Sequence, residues 1–249
     1  MVTQALQAGH EVTVFARGQG LDTAKAAGAT PCSDYKTLVT GCDVLGLCLF
    51  SDAQLRSVLL DEGALAAMRP GSILAIHTTG APDVAREIGA KAPTDVAVLD
   101  ATFSGGPANV LAGDLTLMIG GEANAIERAR PLFQCYAKEM FHLGPLGHGQ
   151  MMKLLNNLLF AANLRSAAEL LKVAEAQGFV TQEVAKVIQA CSGASYAMRS
   201  FQNNASVADA LSRSRPYLEK DVATVASSAA NMGIDIGAFA QTVEYFRKS

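Results

Sequence analysis

The feature that most constrains this chain is a change of period at about residue 146. Before it, short apolar and β-branched runs alternate with helical patterns; after it, the strand signal stops. Strands alternating with helices bury an open parallel sheet between two helical layers. Residues 43–50 (Asp-Val-Leu-Gly-Leu-Cys-Leu-Phe) and 71–77 (Gly-Ser-Ile-Leu-Ala-Ile-His) are continuous apolar runs, the pattern of strands covered on both faces. Further strands are expected at 11–15, near 30–32, at 96–100 and at 115–120. Helices are expected over 2–8, 21–27, 35–40, about ten residues after the Ser51-Asp52 cap, from Pro82 onward, and over 122–133. The expected architecture is α/β, a doubly wound parallel sheet over residues 1–146, followed by an all-helical domain over 147–249.

The helical half opens on Gly147-His148-Gly149-Gln150-Met151-Met152-Lys153-Leu154-Leu155-Asn156-Asn157, just after a Gly/Pro-rich break. From there Leu154, Leu155, Leu158, Ala161, Ala162, Ala168 and Leu171 recur at helical spacing until Gly178. Shorter helices are expected over 181–190, near 196–201, over 217–232 and over 236–246, with 192–216 as irregular connection. Lys153 and Asn157 are four apart and share one helical face. Such a pair is either a site or a solvated lysine with a polar neighbour.

Composition narrows the classes of function. The 249 residues carry a net charge of −3 with no basic block, which argues against nucleic acid or an anionic membrane surface as partner. No stretch is apolar and long enough to span a bilayer, and no signal-like start is visible, so a cytoplasmic location is expected. The five cysteines are odd in number and none forms a CxxC pair, so neither a disulfide framework nor a zinc site is expected. Cys42 and Cys48 read as core thiols. His10, His77, His142 and His148 show no ligand spacing, and no metal site is expected.

In a doubly wound sheet, ligands bind beyond the carboxyl ends of the strands. Three loops lie there: Phe50-Ser51-Asp52, Thr78-Thr79 and Ser104-Gly105-Gly106. The last is the most informative. Two glycines let backbone N–H groups approach an anion closely and a serine hydroxyl adds a donor, a nest that suits a carboxylate. The plainer reading is a glycine turn between strands.

Taken together, the motifs resemble those of the β-hydroxyacid dehydrogenases, the family of 3-hydroxyisobutyrate dehydrogenase and tartronate semialdehyde reductase. The resemblance is carried by Asp100-Ala101-Thr102-Phe103-Ser104-Gly105-Gly106-Pro107 with residues 112–121 behind it, which look like the substrate-binding signature. Gly144 through Asn157 resembles the catalytic-lysine motif. Residues 8–15 resemble the passage into the second strand, and Lys220-Asp221-Val222 resembles the opening of a C-terminal helix. The resemblance covers nearly the whole chain. It implies a Rossmann-type sheet and an NAD(P)-dependent oxidoreductase acting on a small β-hydroxyacid or its semialdehyde, as a homodimer or homotetramer.

By the same resemblance, Lys153 would be the general acid/base and Asn157 would fix the substrate or the lysine. Ser104, Gly105 and Gly106 would hold the substrate carboxylate. Thr79 and the Leu49-Phe50 backbone would contact the cofactor, and Lys220 would close over it from the helical domain, unless Lys220 is a surface lysine beside an exposed Asp221. A lysine of ordinary pKa, about 10.4, is protonated at pH 7 and able to donate when an aldehyde is reduced. An NAD-selective site usually places Asp or Glu at the end of the second strand, to bind the ribose 2′-hydroxyl. Here the run ends Phe15-Ala16-Arg17-Gly18, which favours NADP over NAD unless Arg17 is only a solvated strand end.

The family's first strand and Gly-x-Gly-x-x-Gly turn are not among these residues, and an incomplete start is expected, from a misassigned initiator Met or a trimmed chain. Without that strand the sheet is expected to split and leave two unpaired edges. The alternative to an enzyme is a truncated, non-catalytic paralogue that binds an anion or serves as a helical dimerisation module.

Overall fold

The computed structural model describes residues 1–204 and 206–247. It divides into two compact units, Met1–Lys153 and Leu154–Ser249. Each follows from a different period in the sequence.

The first unit holds α1 (Val2–Gln7), β1 (Thr13–Val14), α2 (Gln19–Ala26), β2 (Thr30–Pro31) and α3 (Tyr35–Gly41). Next come β3 (Val44–Leu47), α4 (Asp52–Arg56) continued by a π turn (Ser57–Asp61), β4 (Ile73–Ile76) and α5 (Pro82–Lys91). The unit is completed by β5 (Ala97–Ser104), α6 (Pro107–Ala112), β6 (Leu115–Gly120), α7 (Ala123–Phe133) and β7 (Ala137–His142). Ser51 caps α4 by accepting from the Gln54 N–H, and Pro82 occupies the first turn of α5, as their positions in the sequence require.

Five strands pair in the order β3-β4-β5-β6-β7, while β1 and β2 form a separate parallel pair. The split expected from the sequence is present: among the described residues, β3 pairs only with β4, and β1 only with β2. The sheet departs from expectation in three ways. The run 43–50 does not become a strand buried on both faces; β3 spans Val44–Leu47 at the sheet edge, with Gly46 exposed. By contrast β4, between two neighbours, is buried at every position. Cys48, just past the β3 edge, is accordingly exposed rather than a core thiol, and Cys42 is half-buried. The sheet is also not wholly parallel, because β5 and β6 pair antiparallel. Only residues 105–114 separate them, and a parallel crossover needs about a dozen residues or more. Finally, β7 (Ala137–His142) carries Lys138 and Glu139 on an exposed edge, so it lacks the apolar run by which the buried strands are recognised.

Two apolar layers flank the sheet. One gathers Leu99, Ala101, Leu115, Leu117, Ile119, Ile126, Ala129 and Phe133; the other gathers Leu45, Leu55, Leu59, Leu74, Ile76, Val84 and Ile88. His77 lies inside the first layer as a satisfied core residue. Its Nδ1 donates to the Ala101 carbonyl (2.6 Å) and its Nε2 accepts from the Tyr136 hydroxyl (3.1 Å). Burial lowers its pKa, which keeps the ring neutral.

α8 (His148–Ala176) opens within the first unit and contributes Leu154, Leu158, Ala161, Leu164, Ala168 and Leu171 to the core of the second. That unit also contains α9 (Thr181–Gln189), α10 (Tyr196–Arg199), α11 (Val207–Asn231) and α12 (Phe239–Arg247). α11 starts ten residues earlier than the expected 217, inside the segment read as irregular. Ser206 caps it by accepting from the Asp209 N–H (3.1 Å), and Pro216 lies within it. The apolar face formed by Val207, Ala210, Leu211 and Leu218 overrides the proline signal.

Candidate active site

The expected site residues of the first unit lie at the carboxyl ends of β1, β3, β4 and β5 and, for Lys153, on α8. After β3, the Leu49 N–H donates to the Thr78 hydroxyl (2.8 Å) and the Phe50 N–H to Gln54 Oε1 (2.8 Å), which ties this loop to the loop after β4 and to its own helix. The Phe50 side chain is exposed. After β4, Thr79 sits half-buried between buried Thr78 and buried Gly80. The expectation that a loop begins at Asp100 is corrected: β5 continues to Ser104, which pairs with Thr116.

That extension matters, because alternate residues of a strand face the same side. Leu99, Ala101 and Phe103 face the first apolar layer, so Asp100, Thr102 and Ser104 face the other way. Asp100 and Thr102 both bond the start of α8. The Asp100 carboxylate accepts from the N–H groups of Gly147 (2.8 Å) and Gln150 (2.6 Å), and the Thr102 hydroxyl donates to the Gly149 carbonyl (2.9 Å). Asp100 therefore does from a distant strand what a capping side chain does locally, satisfying orphan N–H groups at the positive end of the helix. Burial pushes its carboxyl above the ordinary carboxylate range, against the pull of those two donors. Gly149 is required for the fit: a Cβ there would lie 2.5 Å from the Met118 carbonyl and 2.6 Å from that of Asp100.

Gln150, 1% exposed, completes the anchorage. Its Oε1 accepts from the Gly80 N–H (2.9 Å) and its Nε2 donates to the Thr78 carbonyl (2.7 Å). Lys153, half-buried, follows one turn later on the same helix. Ser104 thus shares the strand face that holds the beginning of the lysine helix.

The Ser104-Gly105-Gly106 bend is partly occupied by the chain itself. Gly105 has φ +134°, where a Cβ would meet Leu115, and the Gly106 N–H donates to Asn109 Oδ1 (2.9 Å). Arg17 is exposed beyond β1, beside Gly18 (φ +55°), which precedes α2.

In the second unit, Asn157 and Lys220 meet on one residue. The Asn157 Nδ2 donates to Asp221 Oδ2 (2.6 Å), and the Lys220 Nζ lies 3.1 Å from Asp221 Oδ1. Asp221 is buried, not the exposed neighbour that a surface lysine would have. Sequence reading singled out Asn157 and Lys220 but missed Asp221, although it stood in the quoted Lys-Asp-Val motif. Asp100 and Gln150 were likewise inside quoted motifs and went unassigned.

The sheet, with its loops at the carboxyl ends of the strands, is a layout that takes nucleotides in many proteins, and comparison with known proteins says which family this chain is similar to. Residues 1–144 match the NAD binding domain of 6-phosphogluconate dehydrogenase, and residues 147–249 match the NAD-binding domain of NADP-dependent 3-hydroxyisobutyrate dehydrogenase. The chain is 36% identical to the NAD-dependent L-serine dehydrogenase of Pseudomonas aeruginosa, over 87% of its own length and 74% of that protein. It is 30% identical to the 3-hydroxyisobutyrate dehydrogenase of the same organism, over 81% and 68%. The solved structure of Mycobacterium tuberculosis 3-hydroxyisobutyrate dehydrogenase with L-serine superposes with a TM-score of 0.85 at 25% identity, covering 99% of this chain and 88% of that one. The chain belongs to the β-hydroxyacid dehydrogenase family, whose nicotinamide cofactor is NAD or NADP.

The residues present suit such a cofactor by their chemistry. A guanidinium stands beyond β1 of the two-stranded pair, and in the five-stranded sheet an exposed aromatic ring and backbone follow β3 and a threonine follows β4, at the carboxyl ends of their strands, where doubly wound sheets take dinucleotides.

Proposed function

We propose that this protein oxidises a small β-hydroxyacid, or reduces its semialdehyde, with Lys153 as general acid/base. The observation that carries this reading is the bonding of Asp100 and Thr102 to the first turn of α8. It puts Ser104 on the strand face that holds the lysine helix. Bound NAD(P) supplies the hydride acceptor or donor. Ser104 and Gly105 bind the substrate carboxylate, and the Gly106 N–H turns to it from Asn109. In oxidation the Lys153 amine takes the proton of the β-hydroxyl as the carbinol hydride departs; in reduction the ammonium returns it to the carbonyl oxygen. Thr79 and the Leu49-Phe50 backbone flank the nicotinamide. Arg17 reads a 2′-phosphate, so NADP is the preferred form. Asn157, anchored by Asp221 with Lys220, orients polar groups one turn beyond the lysine.

The serine dehydrogenase among its relatives extends the substrate class to β-hydroxyacids bearing an α-amino group. The exposed apolar residues Leu155, Leu159, Leu170 and Val173 along α8 suit self-association, and light scattering showing only monomer would count against that. The decisive experiment is steady-state kinetics of Lys153→Ala with 3-hydroxyisobutyrate and L-serine. A fall of about 10²–10⁴-fold in kcat/KM, with cofactor binding retained, is expected. Turnover within a few-fold of the parent removes the lysine from the mechanism.

A further inference from the structure

We propose that Gln150 is a positioning residue that sets Thr79, on the proposed cofactor loop, and Lys153 in one register. This rests on the acid/base reading of Lys153 given above. The carbonyl of Thr78 belongs to the peptide plane before Thr79, and the N–H of Gly80 to the plane after it. Peptide units are rigid, so holding both planes fixes the backbone torsions of Thr79. The Gln150 carboxamide holds both, donating to one at 2.7 Å and accepting from the other at 2.9 Å. Its own backbone N–H is held by Asp100 at 2.6 Å. One residue, through its carboxamide and its backbone N–H, therefore links the β4 loop and strand β5 to the helix turn that carries Lys153.

Only an amide meets this demand. Glutamate accepts from Gly80 but has nothing to donate to the Thr78 carbonyl when ionised, and leucine does neither. The sequence distance explains why the link is invisible in the chain itself: Gln150 lies 70 and 72 residues from its two partners. A buried glutamine serving stability alone would need no particular pair of partners, whereas this one spans the two elements proposed to face cofactor and substrate.

The test is a double-mutant cycle of Gln150→Leu and Lys153→Ala, with Gln150→Glu as the second variant should the leucine chain fail to fold. Alongside the kinetics, two measurements need no turnover. Amide exchange at Gly80 should lose protection in Gln150→Leu, while Gly147, held by Asp100, keeps its own. The rate of acylation of the Lys153 amine against pH, read by mass spectrometry on the unliganded chain, should shift by several-fold. In the parent background Gln150→Leu should lower kcat at least about ten-fold with the substrate KM within about three-fold; in the Lys153→Ala background it should cost less than about two-fold. Equal losses in both backgrounds, or unchanged Lys153 labelling, overturn the proposal while leaving the lysine reading intact. A Lys153→Ala chain as active as the parent overturns the lysine reading first.

Discussion

The first turn of α8 and the turns that follow are held by different chemistry. At the start, Asp100, Thr102 and Gln150 make directed hydrogen bonds to named backbone groups. Beyond Lys153, the same helix is held by apolar burial, with Leu154, Leu158, Ala161, Leu164, Ala168 and Leu171 in one core. Directed bonds tolerate little displacement, because they weaken steeply with distance and angle. Apolar packing supplies more free energy and tolerates exchanges of similar volume. Lys153 is in the next turn after Gln150 and directly precedes Leu154 in the chain, so it falls where one kind of holding gives way to the other.

The comparison breaks most sharply at Lys153 itself. Lys153→Ala should remove about 3–5 kcal/mol of transition-state stabilisation while thermal unfolding stays close to the parent, because the amine is proposed to serve chemistry rather than packing. Leu164→Ala tests the other end. It should cost about 2–5 kcal/mol of stability by urea titration and leave substrate KM near the parent value, since Leu164 is fully buried in the helical core.

Asp100→Ala sharpens the clamp side. It strands the N–H groups of Gly147 and Gln150 and should cost about 2 kcal/mol or more. Asp100→Asn probes the same carboxyl through pH. Because burial raises the folded-state pKa, the carboxyl favours the folded chain most fully below its unfolded value, about 3.9. That contribution is lost as pH rises through the raised folded value. Urea midpoints of the parent should therefore fall relative to Asp100→Asn over that window; a constant difference would contradict the assignment. The smallest expected effect is at Arg17, where Arg17→Ala should weaken NADP about ten-fold and NAD less than two-fold in a fluorescence titration.

Part of this organisation was legible in the sequence, and the failures have physical causes. The runs at 43–50 and 71–77 look alike, yet one became an edge strand and the other the buried β4. Hydrophobic pattern reports which residues avoid water, not how many neighbours a strand receives. The helical proline at 216 and the charged edge strand β7 were misjudged because local signals were weighed without the packing that overrides them. Among site residues, the motif positions were found because each type carries its chemistry openly: a cation, an amide, a serine with two glycines. Asp221, Asp100 and Gln150 escaped because their roles are relations between side chains and partners many residues away.

By itself, the sequence determined the period of each region, the place where strands give way to helices, and the chemical inventory of the loops. These are local properties, set by side-chain alternation and capping. The tertiary structure alone decided that Asp100 caps a helix 47 residues downstream and that Gln150 binds both flanks of Thr79. It also decided that Asp221 joins Asn157 to Lys220. The physical reason is that a buried polar group must find a partner, and which partner lies within 3 Å depends on how the strands and helices stack.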